Sequence, residues 1–213
     1  LIQSGLPINI HSVGFQNSQQ NIAENATGME TITFSTRKRS VKSVMTALRV
    51  NKFLSSALVH SSSGFKTNDA VDYQYSIGGK RMPSAPIKVN AETDGYDAGS
   101  LLNNTLQALG HYNSNLRGLS ADKDIGAGLY IQEKANDKTK SSKCVFALDL
   151  ETYGEGLNGV NLAGQGLPLV LHLNSGGGDA RASTEGALIA DLYVVHDVIF
   201  TLDGVSGTMS ASS

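Results

Sequence analysis

Two turn sequences place serine beside glycine in a way that could support acyl transfer. Residues 171–180, LHLNSGGGDA, read as a strand running into Asn174, Ser175 and three glycines; residues 204–212, GVSGTMSAS, offer further serines on a second turn. Glycine amides at such a turn can stabilise an oxyanion while a hydroxyl attacks, provided that a base lies within hydrogen-bond reach. The histidines nearest these turns are His172 and His196, both in strand-like runs, with Asp191 and Asp197 close to the second. The same two histidines could hold a metal if they converged, but a lone strand histidine is ordinarily a packed or edge residue. Asp149 and Glu151 flank Leu150 and would share one strand face, which reads as a solvated pair rather than an acid–base pair. Cys144 lies inside an apolar strand pattern, the setting of a buried hydrophobe rather than a nucleophile. His111 follows Gly110 at the end of a predicted helix, where a partly charged imidazole suits the carboxyl end of the helix dipole.

The LHLNSGGGDA turn followed by a later serine turn resembles the Clp-type serine proteases, which implies a serine nucleophile served by a glycine oxyanion hole. Three features depart from that pattern. Gly176 stands where those proteases have proline, and the segment between the turns reads as strand where they need helix. The chain also ends before any histidine could follow as base; His172 and His196 come in the wrong order, although order alone does not exclude a triad. Gly176–Gly178 read more simply as an open loop. Neither GxGxxG nor a P-loop occurs. Asn25-Ala-Thr27 and Asn103-Asn-Thr105 match the glycosylation pattern, but no secretory signal accompanies them and the second falls on the predicted helix, so both read as incidental. The expectation is a protein that is not an enzyme, with no catalytic, cofactor-binding or metal-binding residue and no cofactor.

Composition points the same way. With 17 basic and 19 acidic residues in 213, the net charge is −2, which gives no electrostatic case for binding nucleic acid through a basic face. The one basic cluster, Arg37-Lys38-Arg39 with Lys42, falls in a turn and reads as solvated or as a subunit contact. A single cysteine excludes an intrachain disulfide. No apolar run approaches the ~20 residues of a membrane-spanning helix. The chain opens at Leu1 rather than Met and is expected to be part of a longer polypeptide. Glycine (23), serine, threonine and asparagine are abundant while charged residues make up only 17%, the balance of a strand-and-turn protein with long polar loops.

The elements that must position any site are organised around residues 73–110. Tyr73, Tyr75 and Ile77 alternate with Gln74 and Ser76 as a half-buried strand does. Gly78-Gly79 makes a tight reversal, and Pro83 and Pro86 hold residues 81–87 extended. A helix follows over about 96–109, with Leu102, Leu106 and Leu109 on its apolar stripe and Gly110 as its stop. Further strands are predicted at 30–35, 43–50, 128–132, 145–150, 157–163 and 167–173. In the last of these Leu167, Leu169, Leu171 and Leu173 share a face opposite Pro168, Val170 and His172. Residues 187–202 form one or two long strands, broken near His196-Asp197. Leu6, Ile8 and Ile10 alternate briefly in a strand bounded by Pro7, and 55–72, 111–120, 122–128 and 136–143 read as loops. The spacing predicts an all-β domain, an eight-stranded antiparallel jelly-roll sandwich with one inserted short helix.

The order METITFS, RSVKSVMTALRV, a long loop, a Tyr-rich strand into IGGKRMPSAPI, a helix ending in LG, CVFALDLE, LPLVLHL and ALIADLYVVHDVIFTLDGVSG resembles the carboxyl-terminal jelly roll of double jelly-roll major capsid proteins. These are the capsid proteins of virophages, polinton-like elements and large DNA viruses, and the resemblance covers about residues 29–206. It implies a structural virion protein whose trimers form pseudo-hexagonal capsomers of an icosahedral shell. Assembly would take place inside the host cell, and the partners would be other copies, neighbouring capsomers, penton and minor capsid proteins. On that reading, residues 1–28 connect from an upstream part of the polypeptide, 29–206 form the jelly roll and 207–213 a tail. Only one roll's worth of sequence is present, where the family has two. The alternative is a ligand- or glycan-binding jelly-roll module, which shares the fold. Such a site would cluster aromatics and acids on its loops, whereas Tyr112 and Tyr153 are isolated.

Overall fold

A computed structural model describes residues 6–23, 28–51, 70–89, 98–110, 145–151, 157–164, 167–175 and 187–212. These form nine strands and one helix: β1 (Ile8–Ile22), β2 (Gly28–Phe34), β3 (Val41–Val50), β4 (Ala70–Ile77), β5 (Lys80–Lys88), α1 (Ala98–Ala108), β6 (Phe146–Asp149), β7 (Leu169–Ser175), β8 (Leu188–Leu202) and β9 (Met209–Ser212). All pair antiparallel in two sheets, ordered β1-β8-β3-β6 and β2-β7-β4-β5, with β9 added to β8.

The order follows from a single reversal. Ile77 pairs with Lys80 across Gly78 and Gly79, whose φ values of 56° and 83° favour glycine and give the two-residue turn that matches strand twist. Outward from this hairpin, β3 pairs with β6, β2 with β7 and β1 with β8. The chain is therefore one long hairpin wrapped into two facing sheets, which is the jelly roll.

The inward faces make the core. Phe34, Tyr73, Tyr75, Leu169, Leu171 and Leu173 from one sheet meet Val44, Leu48, Phe146, Leu188, Leu192 and Val194 from the other, all buried. Two tyrosines cross the interface with their hydroxyls satisfied, as buried hydroxyls must be. Tyr73 donates to the Ala147 carbonyl at 3.0 Å, and Tyr75 to the Phe146 carbonyl at 2.9 Å while also meeting Thr46 Oγ1 at 2.7 Å. The Tyr73 and Phe146 rings pack edge to face at 5.0 Å.

Several expectations need correction. Residues 8–22, read as part of a connection, form a strand paired along its whole length with β8, so the sandwich begins well before residue 29. Residues 209–212 of the expected tail add β9, which takes the edge of β8 beyond the end of β3, so the described residues form nine strands where about eight were expected. No break occurs in β8 at His196-Asp197, because β1 continues past it; only β3 leaves there, through an irregularity at Val41/Ser43. The 157–163 strand reduces to one bridge, Val41 with Val160. Gly159 lies so close to the Ser40–Val41 backbone that a Cβ would sit 2.5 Å from it, and its N–H goes to Ser40 Oγ instead of a ladder. Finally, the helix buries Leu101, Thr105 and Ala108, while Leu109 is exposed and Leu106 half-buried. The helix packs on β6 and touches β3 and β5, bridging edge strands of the two sheets.

Cys144, His111, Tyr112, Tyr153, Asn25, Gly176–Gly178, the 128–132 strand and the 111–120, 122–128 and 136–143 loops lie outside the described residues, as does 55–69; residues 70–72 belong to β4.

Candidate assembly surface

Among the described residues, the two strand histidines singled out for chemistry lie on opposite sides of a sheet. His196 lies on the core side of β8, buried, with its Nδ1 3.2 Å from the Asp197 carbonyl. His172 lies on the outward face of β7, so the β2-β7-β4-β5 sheet separates the two histidines and they do not converge. Among the described residues no group of three or more His, Cys, Asp or Glu could hold a metal. His172 Nε2 does meet Ser76 Oγ at 2.9 Å, the contact a serine nucleophile needs, but Ser76 is itself buried. Burial and then the Arg81 charge hold the His172 pKa below its ordinary value. Around this pair Arg81 donates to Gln74 Oε1, Gln74 to the Pro83 carbonyl, and Asn174 to Asp72. Polar groups that a ligand platform would offer are thus bonded to one another.

The second serine turn is a tight connection. Asp203 Oδ1 accepts the N–H groups of Val205 and Ser206 at 2.7 and 3.2 Å, which lowers the Asp203 pKa, and Gly207 takes a φ of 68°. The segment between the two turns includes β8, a strand.

Two ionic groups fasten β3. Lys42 pairs with Glu151 at 2.8 Å and with Asp197 at 3.7 Å, and the Glu151 hydrogen bond leads in raising the Lys42 pKa. Asp197 also accepts from Ser40 Oγ at 2.6 Å, and Ser40 Oγ in turn accepts the Gly159 N–H. Glu151 is therefore ion-paired rather than merely solvated. Further along β3, Arg49 pairs with the fully buried Asp191. Arg37 and Arg39 are exposed in the β2–β3 turn.

Among the described residues, one long strand edge and its apolar neighbours are open to solvent. The register of β1 with β8 puts Asn9, His11, Val13, Phe15, Asn17, Gln19 and Asn21 on the outer face. There Phe15 is 76% exposed, beside exposed Val13 and Tyr193. Where β1 and β8 run past the end of β3, the opposite face carries Ile10, Phe200, Leu202 and Met209; Ile10 is 51% and Met209 65% exposed. Sequence reading missed this surface because β1 lacks an apolar alternation, and its uncharged composition was the only available signal.

No protein-family description and no curated protein matches the chain. A solved structure, the Sputnik virophage by cryo-EM at 3.5 Å resolution, is similar with 12% identity and a TM-score of 0.48. The match covers 97% of this chain and 38% of that one, so the chain spans well under half the length of the protein it matches.

Proposed function

We propose that this chain is a jelly-roll domain of a structural virion protein, one lobe of a double jelly-roll major capsid protein. Its subunits form trimeric, pseudo-hexagonal capsomers of an icosahedral shell, in contact with neighbouring capsomers, penton and minor capsid proteins. The observation that carries this reading is the strand order β1-β8-β3-β6 over β2-β7-β4-β5 with a helix between β5 and β6. The sequence resemblance through IGGKRMPSAPI and a helix ending in LG supports the same reading. Fold alone does not imply function; the reading gains support from the described polar side chains around His172, which bond to one another, and from the long strand edge of β1. The test is the native mass of the purified protein by light scattering, with electron microscopy of the same sample. Trimers are expected, with or without a companion chain carrying a further roll. A monomer that persists at high concentration overturns the proposal.

A further inference from the structure

We infer that β1 is a docking edge for β1 of a second copy, the two strands pairing antiparallel about Phe15. A sheet edge left open invites uncontrolled strand addition, so proteins blunt it with prolines, charges, short strands or a cover. Three of the four edge strands of the sandwich show such devices. β5 carries Pro83, Pro86, Lys80, Arg81 and Lys88; β6 has four residues and lies under α1; β2 has seven and includes Glu30. β9, added beyond the end of β3, is four residues long. Among the described residues, β1 shows none of them. It is fifteen residues long, contains no proline and no Asp, Glu, Lys or Arg, and is exposed along most of its length. Its ladder partner among the described residues is β8, on one side.

The occupant follows from complementarity. A partner for this edge must be long and must bring no charge against a row of Asn, Gln and Ser. Among the described strands, β1 itself meets both conditions, since β8, the other strand of that length, is committed on both edges. Antiparallel self-pairing is closed by twofold symmetry and does not propagate. A register centred on Phe15 sets the two Phe15 residues opposite each other on the outer face, next to Val13 and Tyr193, and covers the most exposed aromatic ring among the described residues. The sheet then runs β6-β3-β8-β1 continuously into its symmetry mate. This inference does not depend on the capsomer being a trimer; within a shell it supplies a twofold contact between capsomers.

The experiment is amide hydrogen exchange of the purified chain across a concentration series, with mass measured in parallel, on wild type, Phe15→Lys and Phe15→Glu. At concentrations where wild type is monomeric, both variants should keep its denaturation midpoint, because Phe15 is exposed. Protection of β1 amides should rise with concentration in wild type, together with a doubling of mass. Either variant alone should weaken association about thirty-fold, as loss of a central aromatic contact does, and mixing the two should restore it. Association untouched by both variants, or β1 amides equally unprotected at every concentration, overturns the inference. Trimers with unprotected β1 would overturn it and leave the capsomer reading standing. Protected β1 in dimers that never form trimers would do the reverse.

Discussion

The imidazole of His196 occupies the space that a side chain on Gly14 would need. A Cβ there would lie 2.7 Å from His196 Cε1 and 2.7 Å from Val198 Cγ2, and residues 14 and 196 face each other in the β1–β8 ladder. Glycine at this position lets a buried ring cross the neighbouring strand. Gly14→Ala should therefore destabilise the fold by about 1–3 kcal/mol, the usual range for overpacking. The His196→Ala background should relieve part of that cost, leaving the share due to Val198. Urea unfolding of the two single variants and the double variant measures the coupling; strict additivity would mean that the two residues do not compete for space.

The helix offers a sharper contrast. Its buried positions are Leu101, Thr105 and Ala108, with Thr105 Oγ1 donating to the Leu101 carbonyl at 3.0 Å. Leu101→Ala should cost about 2–5 kcal/mol, as full burial of a leucine implies. Leu109→Ala, at an exposed position, should stay within about 0.5 kcal/mol of wild type. Denaturant midpoints of the pair decide the matter: the reverse ranking would restore the stripe through Leu102, Leu106 and Leu109.

That stripe shows where sequence reasoning ends. A leucine spacing identifies a helix, but which side turns inward depends on what it meets, and the helix meets β6 as well as the ends of two other strands. The wrapped hairpin was legible because Gly78-Gly79 and the alternation of Tyr73, Tyr75 and Ile77 are local signals, as are Leu169, Leu171 and Leu173. β1 was not, because its extended state comes from the ladder with β8 rather than from its own pattern; Asn, Gln and Ser line it on both faces. His196 is packed in the core, whereas His172 is half-buried on the outward face of the central strand β7. Their separation by a whole sheet, and the contacts to Ser76 and Gly14, depend on register, which spacing does not contain.

Arg49 and Asp191 make an asymmetric contact, the guanidinium partly exposed and the carboxylate fully buried. Asp191 is fully buried, and its Oδ1 has no hydrogen-bond partner, so the guanidinium is the group that offsets the buried charge. Removing one partner of a buried pair leaves an uncompensated charge, and Arg49→Met should cost about 3–5 kcal/mol. Pairing Arg49→Met with Asp191→Leu should recover much of the loss, since apolar replacement of both partners is often neutral. Thermal unfolding of the three variants tests this, and an Arg49→Met variant as stable as wild type would show that the pair contributes nothing.

His172 gives the fold a pH dependence of definite sign. In the unfolded chain its imidazole titrates near the ordinary value of 6.5; in the fold, burial first and the Arg81 charge second hold it lower. Between the lowered native value and 6.5 the unfolded chain binds more protons than the folded one, so stability rises with pH across that window. The contribution is complete above the unfolded value and is lost as pH falls toward the native one. His172→Gln can still bond Ser76 and cannot titrate. The fall in thermal midpoint from about pH 7.5 to about pH 5 should therefore be larger in wild type than in His172→Gln. The titratable groups common to both proteins, Asp203 among them, cancel in the difference. Parallel profiles would place the proton uptake elsewhere and remove His172 from the acid response.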